Sequence, residues 1–254
     1  MKTRILVIIS LAAVALFSTA CQSVKLDSLT AAGKKGLAAA MLSDDQMAEM
    51  AVKGIQDMDS KHTIAPASEK YGKRLVTLSS TFKEVNGRAL NFKVYKKDEI
   101  NAFAMPDGSI RIYSGLMDYM NDAELTFVIG HEIGHVAEGH SKQRFQVAYG
   151  TSALRDLVAD QDGKVGSIAS SKVGDFLETV VGAQFSQANE KTADDYGLKV
   201  VKDNGLPPVS AVNALQKLAD LSKTKPGMLD RFTSTHPDPA SRAARLKEAI
   251  SGKK

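Results

Sequence analysis

His131, Glu132 and His135 stand in the run LTFVIGHEIGHVAEGH at residues 125–140, where three of the chain's five histidines fall within ten residues. On a helix, residues four apart lie one turn apart on the same face. His131 and His135 can therefore share one metal ion through their imidazoles. Glu132, about a quarter-turn round, stays close to that ion without having to be a ligand, which suits a base acting on water at the metal. The chemistry this set can do is metal-assisted hydrolysis. An ordinary amphipathic helix with two solvated histidines would show the same five residues. The flanks decide between the two: Leu125, Val128, Ile129, Ile133 and Val136 recur at helical spacing, so the histidines ride a buried helix, with Asp122 as its expected N-cap.

H-E-x-x-H is the pattern of zinc peptidases. A metzincin would extend it to H-E-x-x-H-x-x-G-x-x-H, but the chain has Glu138 and Ser141 at the two positions this requires. His140 is therefore expected at the surface near the helix C-terminus, off the metal. A catalytic zinc site needs a third protein ligand and an open position for water. Glu138 lies a turn too far along the axis. Glu190 in SQANEKTADDYG is the strongest candidate, because Asp194 one turn later shares its face and can accept the free ring N–H of His131 or His135. Taken alone, that spacing is more commonly a solvated acidic face.

The elements that must position these groups are legible in outline. SDDQ at Ser43 opens a helix through Met47, Met50, Ala51 and Ile55, and a second helix runs from about Ser68 to Phe82. Apolar alternation at Phe92, Val94 and Tyr95, then Ala102 to Met105, then Ile110 to Tyr113 around PDG predicts a small sheet with a hairpin. It precedes the motif helix directly, so its outermost strand, around Asn101 and Ala102, is placed either to pair with an extended substrate or to serve structure alone. Residues 141–182, rich in small residues, are expected as one or two surface helices and a linker around DQDGKVGS. Further helices cover AQFSQANEKTADDYGLKVVKDNG, LPPVSAVNALQKLADLSK and the tail after STHPDPAS. No repeat is visible.

The 254 residues, 43% of them hydrophobic, suffice for one folded domain with a full core. The opening MKTRILVIISLAAVALFSTACQS has basic Lys2 and Arg4, an apolar run from Ile5 to Phe17, small residues, and then Cys21, the only cysteine. The run is shorter than the roughly 20 residues that span a bilayer, so residues 1–20 are expected to be a cleaved signal peptide. Cys21 resembles the lipidated first residue of bacterial lipoproteins, with Ser18 where leucine is more usual. That resemblance implies a lipid anchor, and Gln22 implies the outer membrane, facing the periplasm. Residues 21–43 then form a lipidated tether and 44–254 the catalytic domain. Losing Lys2 and Arg4 takes two from the formal charge of +4, a balance that gives no case for nucleic acid.

HEIGH, FSQANEKTADDYG, NAFAMPDGSIRIYSGL and THPDPASR together resemble the HtpX-like zinc metallopeptidases, the family that includes the CaaX prenyl proteases, over about residues 45–250. The membrane spans of HtpX itself are absent. The resemblance implies an α+β, mostly helical zincin domain of gluzincin type, with one zinc ion on His131, His135 and Glu190, Glu132 as the catalytic glutamate and Asp194 as support. It places His236 and Arg242 in a late segment at the site, His236 stabilising an oxyanion or filling the open metal position, Arg242 near substrate or oxyanion. It also implies misfolded or unassembled envelope proteins as substrates, with an envelope protease or chaperone as partner. The competing class is a non-hydrolytic chaperone or assembly factor with a closed zinc site. A zinc-storage protein would have no need of Glu132.

Overall fold

The computed structural model describes residues 42–160 and 164–252; the leader and Cys21 lie outside them. Ser43 and Gln46 exchange both bonds of a capping box and start α1 (Asp44–Lys61), and α2 (Lys70–Ser79) follows. Strands β1 (Glu84–Val85) and β2 (Arg88–Ala89) pair antiparallel across Asn86 and Gly87. Both turn residues have positive φ, 51° and 72°, the backbone a two-residue hairpin requires and an Asn-Gly pair adopts most readily.

A second sheet holds β3 (Asn91–Tyr95), β4 (Ala102–Ala104) and β5 (Ser109–Tyr113), with β5 in the middle, parallel to β3 and antiparallel to β4. The expected PDG hairpin joins β4 to β5: Gly108 donates its N–H to the Met105 carbonyl, and Asp107 accepts from Ser109. The rest is helical: α3 (Ser114–Tyr119), α4 (Asp122–Ala137), α5 (His140–Gly150), α6 (Leu154–Asp160), α7 (Ser170–Gly182), α8 (Gln187–Asp203), α9 (Val209–Thr224), α10 (Asp230–Thr235) and α11 (Pro239–Ser251). This is an α+β fold, mostly helical, as expected. Among the described residues no helix is long and apolar enough to cross a membrane.

Alternation along the strands divides the interior in two. Val94, Ala102, Ala104, Ile110 and Ile112 join a core with α4, α8, α9 and α11, while Tyr95, Phe103, Met105 and Tyr113 join another with α1, α5 and α7. Two expectations need correction. The helices of 141–182 are not surface elements: Phe145 and Tyr149 of α5 and Val173, Phe176, Leu177 and Val180 of α7 fill the second core, and the α7 set has the spacing of an amphipathic stripe. In the expected linker, residues 161–163 lie outside the described residues, and Val165 is buried. The N-cap of α4 is Asn121, not Asp122: Asn121 and Glu124 close a capping box, and Asp122 in the first turn pairs with Arg74.

Candidate metal centre

Helices α4 and α8 approach closely because glycines line their contact. A Cβ added to Gly130 would stand 2.8 Å from the Val200 Cβ, one on Gly134 2.9 Å from the Tyr196 Cβ, and one on Gly197 2.9 Å from the Phe127 carbonyl oxygen. Glycine alone leaves room for backbones this near. Ser186, closing a capping box with Asn189, starts α8, and Glu190 in the first turn then faces the motif histidines, with Asp194 one turn on.

His131 Nε2 and His135 Nε2 are 3.0 Å apart, and Glu190 lies 3.4 Å from His135 Nε2 and 3.6 Å from His131 Nε2. His236, from the segment between α10 and α11, places Nδ1 3.1 Å from Glu190 Oε1 and 3.4 Å from His131 Nε2. One ligand atom from each of the four lies within 4.8 Å of all the others, and all four residues are buried. Glu132 is 0% exposed, and neither of its carboxylate oxygens has a hydrogen-bond partner; His236 Nε2 is 3.7 Å from one of them. Imidazoles and a carboxylate converging this tightly are the N/O donor set zinc takes, and a buried carboxylate without a partner beside them lacks the group it should meet. The residues fit a zinc ion.

The surroundings hold the donors in the ligating state. Burial pushes the His135 imidazole well below its usual range, favouring the neutral form. Burial alone would raise Glu190, but His236 and Arg242 outweigh it and hold the carboxyl far below its ordinary value. Asp194 is likewise held down, Arg242 and His131 overcoming burial. Asp194 Oδ1 sits 3.1 Å from His131 Nδ1, so of the two histidines it is His131 that it meets. Arg242 donates to Asp194 at 2.7 and 3.0 Å and ion-pairs with Glu190. Its guanidinium is thus engaged with both of these carboxylates of α8, and with Glu190 it lines a cleft beside the cluster.

His140 also departs from expectation. Gly139, at φ 72°, turns the chain from α4 into α5 and brings His140 under the motif. It is only 8% exposed, with Nδ1 3.1 Å from His135 Nδ1 and Nε2 3.2 Å from Thr192 Oγ1. Phe185, which the sequence reading did not single out, stacks on His135 with centroids 3.7 Å apart and planes at 12°.

Asn101 and Ala102, both buried, lead into β4 at the sheet edge. The Asn101 carbonyl accepts from Tyr113 N–H, and Met105 donates to Ser109 O. By antiparallel alternation the N–H and C=O of Ala102 and Ala104 turn away from β5. The Ala104 carbonyl accepts from Ser141 Oγ at 3.1 Å and Arg144 Nη2 at 3.3 Å.

A family model described as peptidase family M48 matches residues 66–250. The chain is 41% identical over 252 residues to metalloprotease LoiP of Escherichia coli K12, covering 99% of this chain and 98% of that protein. It is 34% identical over 257 residues to metalloprotease YcaL of the same strain, covering 100% and 99%. Beta-barrel assembly-enhancing protease of Yersinia pestis is 34% identical over 185 residues, 67% of this chain and 36% of that longer protein.

Proposed function

The chain belongs to peptidase family M48 and is a zinc metalloendopeptidase, and on that premise we propose that His131, His135 and Glu190 hold the zinc while Glu132 handles the proton of peptide hydrolysis. The observation that carries this assignment is the Glu132 carboxylate, wholly buried and without a hydrogen-bond partner, beside the converging ligand atoms. Zinc supplies a Lewis acid that brings the pKa of water toward about 7 and polarises the peptide carbonyl. Glu132 takes the proton of the attacking water and hands it to the leaving amine. Asp194 fixes His131 with Nδ1–H toward its carboxylate and leaves Nε2 for the metal. Arg242 keeps Asp194 and Glu190 ionised.

His236 favours a second reading of the resting state. Its Nδ1 lies within the ligand cluster, so a closed site with four protein ligands, inactive until His236 withdraws, fits the same residues. Once withdrawn, His236 is placed to steady the developing oxyanion. A non-hydrolytic chaperone would keep the closed state permanently.

The substrates in this reading are unfolded or unassembled proteins of the bacterial envelope, met as extended segments along β4 at Asn101 and Ala102. Residues 1–20 direct export, residues 21–43 tether the domain of residues 44–254, and lipid on Cys21 anchors it to the outer membrane facing the periplasm. The leader pattern supports this, as does a relative named for β-barrel assembly. An envelope protease or chaperone is the expected partner. Two experiments test the two layers. The full chain and its Glu132→Gln form should both carry zinc while only the former cleaves an unfolded protein; substantial cleavage by the variant removes Glu132 from its role. Labelled fatty acid should enter the chain in cells and be lost in Cys21→Ala; an unlabelled protein would end the anchor reading.

A further inference from the structure

Arg144 on α5 is 6% exposed and forms no ion pair with any carboxylate among the described residues. Its guanidinium lies 4.0 Å over the ring of Phe185, the residue stacked on His135. Of the five N–H donors of an arginine, one on Nη1 reaches the Ala183 carbonyl and one on Nη2 the Ala104 carbonyl, each at 3.3 Å, and Nε has no acceptor. Nε is thus a buried donor without a partner, and the charge rests on the Phe185 ring with no carboxylate at ion-pair distance among the described residues, where burying a charge is costly. Burial lowers the pKa to about 10, with Glu132 and Glu190 opposing, so the group is still charged at neutral pH.

Arg144 lines a cleft of about 640 Å³ between α5, the end of α7 and the start of α8, and no aspartate or glutamate lines it. Phe185, Ala183 and Val147 give it an apolar wall, and Val147 is 64% exposed, so the cleft opens to solvent. Its inner end meets the metal centre through Phe185, and Arg144 touches the outward carbonyl of Ala104 at the end of the β4 edge.

We propose that this cleft is a carboxylate-binding subsite for the polypeptide substrate, in which Arg144 receives an acidic group of a segment whose apolar neighbours lie on Val147 and Phe185. The inference rests on the peptidase reading and deepens it: a chain paired at Ala102 and continuing past Ala104 arrives at the guanidinium. Arginine offers a carboxylate a planar, two-pronged match that a neutral amide cannot replace. The carboxylate belongs to an aspartate or glutamate side chain or to the substrate's C-terminus, chemically the same ligand.

The test compares fluorescent peptides that differ only in glutamate or glutamine at each position, and in a free or amidated C-terminus. Binding is read by anisotropy on zinc-loaded, full-length Glu132→Gln protein, and cleavage on the unaltered chain. One carboxylate position should bind about tenfold tighter than its neutral counterpart. That preference should vanish in Arg144→Met and survive in part in Arg144→Lys, with the helical circular dichroism of both variants retained. Sensitivity only to C-terminal amidation assigns the site to the chain end; sensitivity only to glutamate assigns it to a side chain. Equal binding of all peptides to protein with Arg144 intact overturns the subsite, whether or not the variants fold. A carboxylate preference without cleavage of any peptide supports the subsite and counts against the peptidase reading instead.

Discussion

Gly134 of α4 lies so near Ala193 of α8 that a Cβ on the glycine would stand 3.1 Å from the Ala193 Cα, and 2.9 Å from the Tyr196 Cβ. The spacing between the helix that carries the histidines and the helix that carries Glu190 is thus set by an absent side chain. Gly134→Ala gains helix propensity of about 1 kcal/mol but overpacks the contact at a cost of about 1–3 kcal/mol. The net outcome expected is lower stability and weaker zinc binding, because α8 must move away from His131 and His135. Gly182→Ala, whose Cβ would meet nothing within 4 Å, serves as the control. Equal zinc affinity and melting temperature in both variants would contradict the helix-spacing argument.

Asp194→Asn should weaken zinc binding by about 10–100-fold, the usual loss when the carboxylate behind a ligating histidine is removed. An amide can offer His131 Nδ1 a donor in place of an acceptor, which unsettles the tautomer, and Arg242 keeps only Glu190 as an ionic partner. Competition with a chelating dye measures the affinity. An unchanged value would mean that Asp194 does not orient His131.

Away from the metal, Asp59 of α1 receives Arg111 at 2.8 and 3.0 Å, Lys93 at 2.7 Å and the Tyr95 hydroxyl at 2.7 Å. Burial would raise its pKa, but the hydrogen bonds from Arg111, Lys93 and Tyr95 outweigh burial and hold it below the ordinary value. A depressed carboxyl stabilises the native state above the unfolded pKa of about 3.9 and loses that contribution as pH falls through its lower folded value. Asp59→Asn leaves Arg111 buried and unpaired and should cost about 3 kcal/mol at neutral pH. Urea unfolding at pH 7 and at pH 3 should show the gap between variant and parent narrowing at the lower pH. A gap that stays constant or widens would contradict the assignment.

Removing zinc should lower the melting temperature. A ligand bound only by the native state adds about 4 kcal/mol when its free concentration is 1,000 times Kd, and without it the cluster is four buried polar groups missing their common partner. Thermal unfolding with and without a chelator measures this, and Glu132→Gln should respond as the parent does. No shift on chelation would mean that the cluster holds no metal under those conditions.

How far the site could be read from the sequence depended on how local each contact is. His131, Glu132 and His135 belong to one helical turn, and Glu190 and Asp194 to another, so their spacing was readable. That Asp194 serves His131 and not His135 was not, because it depends on how α4 crosses α8. Arg144 and Phe185 lie 41 positions apart in the sequence and meet only through the packing of α5 against the end of α7. The small-residue composition of 141–182 suggested a surface, although the apolar stripe of α7 was there to be counted. His140 failed for a sharper reason: register showed that it does not extend the metal motif, but the left-handed turn at Gly139 that folds it back under His135 has no readable consequence without the fold. Asn121 with Glu124 three residues later was a visible capping box, and weighing it would have set the start of α4 correctly.

Zinc content and cleavage of an unfolded protein, measured together on the full chain, Glu190→Gln and His236→Ala, test the zinc site most directly. One zinc per chain is expected in the parent and in His236→Ala, and loss of both metal and cleavage in Glu190→Gln. Glu190→Gln protein that keeps its zinc and cleaves at the parent's rate would contradict a site built on His131, His135 and Glu190.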